Sequence, residues 1–315
     1  MNKEIKNIII DTDLGADSDD VGALVLAFRF EDLSLCKILS VIHSTRNPYG
    51  PAVIDILKRF YKRDYLIGAY LKEEFHTNEK VHVFDKDICD IYGSKYINNI
   101  PNDLDSIRLY RKILSNAEDN SIIIISIGQF SNLNNLLISL PDDISPLSGY
   151  ELIKNKVHHF VSMSTIINDN HQLCSFNNNE RFVEYNIECD VMDARNFISN
   201  CPKEIIFIDF YCGVDVWTGK PLMNKPSPFY EAYIRYNKDF ENHEGRSWDL
   251  IAIYYAIKED LYDKLGPGKM IIDEKGYSSF IYDKNGNHYY LRPNANKETI
   301  EKTINKYLEG MDKYE

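Results

Sequence analysis

The sequence predicts an α/β fold with an open, mostly parallel β-sheet flanked by helices. Three observations lead to this prediction: short β-branched runs alternate with helical patterns, the central runs are wholly apolar, and no linker or repeat interrupts them. A fully apolar run such as residues 122–125 is typical of a parallel strand that is buried on both faces. We therefore assign residues 1–315 to one domain, a size that single α/β domains reach.

The individual elements follow from the period of the apolar residues and from the residues that flank each run. The predicted strands are residues 7–10, 37–42, 65–68, 122–125, 157–163 and 204–208. The predicted helices are those that begin near Asp19 and Pro51, and residues 106–117, 131–140, 228–237, 248–257 and 297–308. The dipeptide Asn285-Gly286 predicts a tight hairpin between residues 280–282 and 288–291.

Two segments, residues 72–96 and 166–181, fit no regular element. Long loops in a compact domain are usually functional or mobile. In open α/β sheets, ligands bind at the carboxyl ends of the strands, where such loops gather. We therefore expect a binding site at that edge of the sheet.

The composition favours a globular protein that binds a small molecule. A net charge of −12 would repel a nucleic acid backbone, and no segment has the length and apolarity of a membrane span or a secretory signal. The six cysteines are scattered along the sequence, and no two of them form a C-x-x-C motif of the kind that binds metals or carries out redox chemistry. We expect reduced core thiols, a cytoplasmic location, and neither nucleic acid nor membrane as a partner.

An acidic cluster follows the first predicted strand. Residues 11–20 contain five aspartates, while residues 7–27 contain no Lys or Arg. Strand alternation points Asp11 and Asp13 to the same face, and Asp19 and Asp20 fall at the start of the next helix. Carboxylates this close need a positive charge between them, and several carboxylates beside a glycine suit Ca²⁺. The sequence therefore predicts a calcium site.

Three alternatives to a calcium site fit part of this pattern. Asp19 could cap a helix while the remaining aspartates are solvated. An EF-hand would need an oxygen ligand at Gly15 and a glutamate at Gly22, so that motif fails. A phosphatase of the haloacid dehalogenase type also begins with strand-D-x-D, but its partner motifs are not evident here.

The acidic cluster and four later segments together resemble the inosine-uridine nucleoside hydrolase family. Its N-terminal hallmark, D-T-D-x-G followed by an Asp pair, is similar to residues 11–20, although Asp17-Ser18 before the pair is typical of a divergent branch. The other matching segments are residues 126–132 (SIGQFSN), 160–163 (FVSM), 184–190 (EYNIECD) and 246–249 (RSWD). The five segments occur in the family's order and span nearly the whole enzyme core.

The resemblance implies the nucleoside hydrolase fold, with a Rossmann-like sheet, and a set of site residues. The implied calcium ligands are Asp13, Asp20, Asp249 and the main-chain carbonyl of Ile127, with Asp11 as a supporting group or additional ligand. The implied ribose contacts are Asp19, Asn178, Glu184, Asn186 and Met163. The alternative for Asn178, Glu184 and Asn186 is that they are ordinary polar residues of a loop or of the start of an element.

The implied reaction is hydrolysis of the N-glycosidic bond of a ribonucleoside or a related ribosyl conjugate. Its transition state places positive charge on the ribose, which nearby carboxylates stabilise. Calcium lowers the pKa of a bound water and binds vicinal hydroxyls, and Asp13 is the predicted general base. The resemblance also implies a homo-oligomer, either a dimer or a tetramer.

The sequence departs from the family mainly on the side of the nucleobase. The best-known members have a His immediately before the late Asp, where this chain has Trp248, which could stack on a base. The leaving-group acid is therefore unassigned, with His76, His82 and His243 as candidates from loops. Ser164-Thr165 replaces a Gly-Gly pair, and an early pocket Asn is replaced near Ser44. A second interpretation therefore stays open, a ribosyl-binding or regulatory protein with weak catalysis.

Overall fold

The computed structural model describes residues 5–15, 17–72, 83–97, 100–167 and 182–314. Asn178, His76, His82 and Cys174 lie outside these residues. The strands are β1 (Lys6–Thr12), β2 (Cys36–His43), β3 (Leu66–Ala69), β4 (Ile122–Ile127), β5 (Val157–Thr165), β6 (Ile205–Asp209), β7 (Trp217–Thr218), β8 (Gly245–Arg246), β9 (Tyr262–Ile272), β10 (Ser278–Tyr282) and β11 (His288–Pro293). The helices are α1 (Asp19–Asp32), α2 (Gly50–Phe60), α3 (Asp85–Tyr92), α4 (Ser106–Asn116), α5 (Ser131–Leu137), α6 (Gly149–Lys156), α7 (Tyr185–Glu188), α8 (Val191–Asn200), α9 (Pro228–Tyr236), α10 (Trp248–Lys258) and α11 (Lys297–Leu308).

A mostly parallel sheet forms the centre of the fold. Within the described ranges it has nine strands in the order β10-β9-β11-β6-β5-β4-β1-β2-β3, and β7 pairs separately with β8. Every neighbouring pair from β3 to β11 is parallel, whereas β9 runs antiparallel to both β10 and β11. The α/β fold class predicted from the sequence is confirmed.

The strand order creates a crevice beside β1. The chain continues from β1 to β2 and β3 on one side, and then crosses to β4, β5 and β6 on the other side. Ligands of open α/β sheets bind at such a switch point, outside the carboxyl ends of the strands. The acidic cluster directly follows β1, so the topology places it at this crevice.

Helices cover both faces of the sheet, which explains the wholly apolar strands. Ile8 and Ile10 of β1 pack in the core that contains α1, α2, α9, α10 and α11, whereas Ile9 packs in the core beside α4, α5, α6 and α8. All six residues of β4 are buried. Helices α1 and α10 pack on each other and are apolar around most of their circumference, as expected of helices buried in a layer.

The predicted hairpin is wrong. β10 and β11 are not paired with each other, because β9 lies between them and pairs with both. A turn does form at the predicted dipeptide, where the Gly286 N–H donates to the Asp283 carbonyl at 2.8 Å. The turn therefore connects two strands that diverge to opposite sides of a third strand.

Several elements were missed in the sequence. They include α3, which lies inside a segment predicted to have no regular structure, as well as α6, α8 and β9. Cys36, Cys89, Cys201 and Cys212 are buried free thiols, and Cys189 is a half-buried one. Over the stretches that the structure describes, no helix combines the length and apolarity needed to cross a bilayer.

Candidate active site

A cavity of about 620 Å³ opens at the carboxyl ends of the strands beside β1. It brings together most of the residues predicted from the sequence. These are Asp13, Asp19, Asp20, Ile127, Met163, Glu184, Asn186, Trp248 and Asp249. Residues that the sequence analysis did not assign also line it, namely Asp17, Phe182, Val183, Tyr185, Glu188, Phe210, Tyr236, Asn237, Phe240 and Arg246.

The end of β1 is held in place by the turn after β4. A Cβ atom at Gly128 would lie 2.5 Å from the Asp13 nitrogen and 2.7 Å from the Ser44 hydroxyl, so only glycine allows this approach. The Ser44 hydroxyl donates to the Thr12 carbonyl at 3.1 Å, and Ser131 donates to the Ser44 carbonyl at 3.0 Å. These contacts fix Asp13 and the neighbouring Ile127 at the floor of the cavity.

Three carboxylates from two helices converge beside Asp13. Asp19, Asp20 and Asp249 each offer an oxygen atom within 4.8 Å of the others, and all three side chains are buried. Thr12 donates a hydrogen bond to Asp20, and the Asp249 backbone N–H donates to Asp19 at 3.1 Å. Asp19 therefore caps α10 rather than α1, because α1 begins after Ser18.

Burial raises the pKa of every carboxyl group in this cluster. Burial, together with the neighbouring charge of Asp17, raises the pKa of Asp13 to about 7. The pKa values of Asp19, Asp20 and Asp249 rise well above their usual range, first by burial and then by the negative charges of the other aspartates. Ionisation of all these carboxyl groups in the folded protein is therefore unfavourable unless a bound cation compensates their charge.

The donor set fits a divalent metal ion of the hard, oxygen-binding type. The Asp13 Oδ2 atom is buried and accepts no hydrogen bond from the described residues, which leaves it available as a ligand or base. The buried trio Asp19, Asp20 and Asp249 supplies further oxygen atoms. The trio differs from the carboxylate ligands implied by the sequence, which were Asp13, Asp20 and Asp249, because it includes Asp19 instead of Asp13. Carboxylate oxygens of this number suit Ca²⁺ or Mg²⁺ rather than a softer metal.

Asp11 lies outside the cavity lining. Its Oδ2 atom accepts from the Tyr110 hydroxyl at 2.7 Å and from the Asn132 amide at 3.1 Å, on the α4 and α5 side of the sheet. Burial raises its pKa to about 7. Strand β1 ends at Thr12, so the alternation that predicted one face for Asp11 and Asp13 does not extend to Asp13. In this position Asp11 supports the start of α5, which carries Asn132.

Glu184 and the start of α7 form another part of the cavity lining. Glu184 caps α7 by accepting from the Ile187 N–H at 3.2 Å, and burial raises its pKa to about 8. The Asn186 amide donates to the Met163 carbonyl at 3.0 Å, which ties α7 to the end of β5. Glu184 and Asn186 thus line the same cavity as Asp13.

Aromatic rings line a further part of the cavity. The ring of Trp248 lies 5.2 Å from the ring of Phe210 at an interplanar angle of 31°, and Phe182 meets Phe210 edge-on at 5.1 Å. The Trp248 indole N–H donates to the Phe210 carbonyl at 2.9 Å. A Cβ atom at Gly213 would lie 2.6 Å from the Trp248 ring, so this glycine allows the indole to take its position.

Two of the unassigned lining residues, Tyr236 and Asn237, connect the end of α9 to the segment before α1. Tyr236 donates to Asp17 at 3.0 Å, and Asn237 donates to the Ser18 hydroxyl at 2.9 Å. Asp17 belongs to the acidic cluster, but its partner lies more than 200 residues away, so no local pattern could indicate it. Phe210 directly follows β6, and the rule that ligands bind at strand ends could have identified it. His243, a candidate leaving-group acid, is half-buried and is not among the residues that line the cavity.

The sequence resemblance leads us to predict that Trp248 contacts the base of a bound nucleoside and transfers no proton, because an indole donates a hydrogen bond but no proton at neutral pH. We expect Trp248→Phe to keep most activity, since a flat apolar ring remains. Trp248→Ala should raise KM by an amount corresponding to the loss of about 1–3 kcal/mol of base stacking. Steady-state kinetics checks this, with melting temperatures to confirm folding. An unchanged KM in the alanine variant would show that the base does not contact the indole.

Comparison with known proteins identifies the fold. No protein-family model matches the chain, and no curated protein matches it by sequence. Among solved structures, a plant nucleoside hydrolase (PpNRh1) superposes with a TM-score of 0.71 at 15% identity, over 97% of this chain and 99% of the other. An inosine-guanosine nucleoside hydrolase gives 0.70 at 16% identity, over 98% and 99%. The type III effector XopQ, in complex with adenosine diphosphate ribose, gives 0.67 at 10% identity, over 98% and 94%.

These similarities extend over nearly the whole length of each chain. They show that this chain has the nucleoside hydrolase fold, as the resemblance of its motifs implied.

Proposed function

We propose that this chain is an N-ribohydrolase, which uses water to cleave the N-glycosidic bond of a ribonucleoside or a related ribosyl conjugate. The observation that best supports this is the convergence of Asp13, Asp19, Asp20 and Asp249 on one cavity of the nucleoside hydrolase fold. The cavity volume of about 620 Å³ is in the range of small-molecule sites. It suits a nucleoside better than a polymer.

The proposed cofactor is Ca²⁺, held by Asp13, Asp20, Asp249 and the Ile127 carbonyl. When bound, calcium would lower the pKa of a water molecule and bind vicinal ribose hydroxyls. Asp13 accepts the proton of the attacking water, a role supported by its buried Oδ2 atom, which accepts no hydrogen bond from the described residues. Asp11 is proposed to support this arrangement from behind rather than to bind the metal.

The remaining residues are proposed to bind and orient the sugar. Asp19, Glu184 and Asn186 accept or donate hydrogen bonds to the ribose hydroxyls, and Met163 packs against the ring. Asn178 is proposed as a further ribose contact on the basis of the sequence resemblance. The aspartates stabilise the positive charge that develops on the ribose in the transition state. Phe182, Phe210 and Trp248 enclose the apolar faces of the base and exclude water.

A screen of ribonucleosides tests this proposal directly. Purified protein is incubated with each ribonucleoside and with ribosyl conjugates such as adenosine diphosphate ribose, and the released free base is measured with and without a calcium chelator. We expect base release that chelation abolishes and that added Ca²⁺ restores. If none of these compounds releases its base under calcium saturation, the proposed activity is wrong.

The leaving group should strongly influence the rate, because no proton donor is assigned on the base side. A p-nitrophenyl riboside, whose leaving group is stable as an anion, should therefore turn over much faster than inosine. The ratio of the two kcat/KM values measures this effect. Comparable rates with a bell-shaped pH profile would instead indicate a proton donor, and His76, His82 and His243 would be the first residues to replace.

A second candidate function is a ribosyl-binding or regulatory protein with little turnover. It is favoured by the absence of a His at position 248 and by the fold similarity to an effector protein in complex with adenosine diphosphate ribose. Calorimetric binding of a ribosyl compound without any release of its base in the screen would support it. The complete set of carboxylates favours the hydrolase.

The proposed setting is a cytoplasmic homo-oligomer that acts on free nucleosides. The cysteines among the described residues are free thiols, which is compatible with a reducing compartment. Size-exclusion chromatography with light scattering would establish the oligomeric state.

A further inference from the structure

One basic side chain stands out in an otherwise acidic cavity. Among the described residues that line the cavity, Arg246 is the only basic one, whereas Asp13, Asp17, Asp19, Asp20, Glu184, Glu188 and Asp249 are acidic. Arg246 lies on β8, which pairs with β7 through Trp217. It is three residues before Asp249 and two before Trp248, so one short segment presents a cation, an aromatic ring and a carboxylate.

Aromatic rings hold the guanidinium group of Arg246. Its central carbon lies 5.0 Å from the ring centroid of Trp217, 5.5 Å from that of Phe240 and 6.0 Å from that of Trp248. Its Nε–H donates to the Val214 carbonyl at 3.1 Å. Cation–π contacts and this hydrogen bond fix the position of the group and remove part of its water shell.

The distribution of charge matches the charges that separate in a glycosidic cleavage. When the C1′–N bond breaks, positive charge develops on the ribose and negative charge on the base. The carboxylates complement the positive charge, and a cation beside the Trp248 ring complements the negative one. Fixed charges in a water-poor site are effective because they require little reorganisation during the reaction. The Trp248 N–H already donates to the Phe210 carbonyl, so the indole offers no donor to the base.

We propose that Arg246 stabilises the departing base as an anion, in place of a proton donor. This inference rests on the proposed hydrolase function. The electron pair of the C1′–N bond passes to the base nitrogen, the water oxygen bonds to C1′, and Asp13 takes a proton from that water. Arg246 acts through its charge and transfers no proton in this step. The base is protonated by solvent after it leaves the cavity, and Asp13 returns its proton to solvent.

The test compares Arg246→Gln, which removes the charge, with Arg246→Lys, which keeps it. We expect Arg246→Gln to reduce kcat/KM for inosine on the order of 10²-fold, the scale seen when one stabilising donor is removed from an active site. The kcat/KM for p-nitrophenyl riboside should fall by less than about 3-fold, because its leaving group is already stable as an anion. Arg246→Lys should recover part of the loss for inosine. Arg235→Gln is the matched control, because Arg235 pairs with Asp87 and Glu231 outside the cavity lining.

The outcomes separate this inference from the proposed function. If wild-type protein cleaves both ribosides and Arg246→Gln slows them equally, the function stands and the inference is overturned, because Arg246 would then act on binding or folding alone. If wild-type protein cleaves neither, both fail.

Calorimetric titration gives a readout without turnover, by comparing free xanthine with the less acidic hypoxanthine as the pH is raised. We expect wild-type protein to bind the ionised base more tightly, on the order of 10-fold, and Arg246→Gln to lose this preference. Equal binding of neutral and ionised base by wild-type protein would overturn the inference.

Discussion

Asp13→Asn should lower kcat by about 10²–10⁴-fold while changing the affinity for ribose by only a few-fold. Asparagine has the shape of aspartate and retains one oxygen atom that can act as a weak ligand, but its amide cannot take a proton from water. The Asp13 Oδ2 atom is buried and has no hydrogen-bond partner among the described residues. The substitution therefore removes a proton acceptor without breaking a hydrogen bond of that atom within the described parts of the protein.

Steady-state kinetics and calorimetric titration of ribose, both at saturating calcium, measure the two quantities separately. Asp55→Asn is the control, because Asp55 is a buried carboxylate that pairs with Arg59 and Ser94 away from the cavity. It should leave kcat unchanged. Equal losses of turnover and ribose affinity in Asp13→Asn would mean that Asp13 is only a ligand.

The metal-free protein should lose stability as the pH rises from about 5 to about 8. Burial raises the pKa of Asp13 to about 7 and that of Glu184 to about 8, and it raises the pKa values of Asp19, Asp20 and Asp249. The folded state therefore binds more protons than the unfolded state in this range. Stability falls with pH wherever that is true, because each proton lost leaves a buried charge in the folded state.

Calcium should remove this trend. An ion that binds only the folded state stabilises it by about 2.7 kcal/mol at one hundred times its Kd, and deprotonated carboxylates bind it best. Melting temperatures between about pH 5 and pH 8, with chelator or with excess calcium, make the comparison. Chelated Asp20→Asn should melt higher than chelated wild type at the alkaline end, yet gain less from calcium. A chelated wild type whose stability rises with pH would contradict the shifted pKa values.

The sequence predicted the elements whose packing repeats a simple pattern. Strands β1 and β4 each contain a run of consecutive isoleucines, and α1 and α10 contain apolar residues at helical spacing. Their burial on both sides leaves no competing interpretation of the pattern. The acidic cluster after β1 was recognisable because five charges at a buried strand end require compensation.

The C-terminal part of the sheet was not predictable in the same way. Strand β9 contains Asp263, Lys264 and the segment Gly266-Pro267-Gly268, which favour a loop, and its burial pattern alternates irregularly. Its strand conformation depends on pairing with β10 and β11, which is a tertiary effect. The Asn285-Gly286 turn indicated a local reversal correctly, but it could not show that a third strand separates its arms.

Within the site, the sequence identified residues with a charge or a motif and missed those that act through packing. Arg246 and Phe240 approach the cavity only because β7 pairs with β8 and places Trp217 beside them. Asp11 was grouped with Asp13 because the two lie in one run. The end of β1 at Thr12 separates them, since alternation holds only while the backbone is extended.

The hydrogen bond from the Asp249 N–H to Asp19 joins residues 230 positions apart, and Asn237 reaches Ser18 over 219 positions. The candidate site is therefore a closure between the beginning and the end of the chain, and no contiguous fragment ending before Asp249 contains all of it. During synthesis, the aspartates after β1 emerge long before α10 exists to accept Asp19 as its cap. Any opening of the native protein that separates α1 from α10 also dismantles the carboxylate trio. In this fold, the carboxylate trio therefore forms only when α1 and α10 pack together.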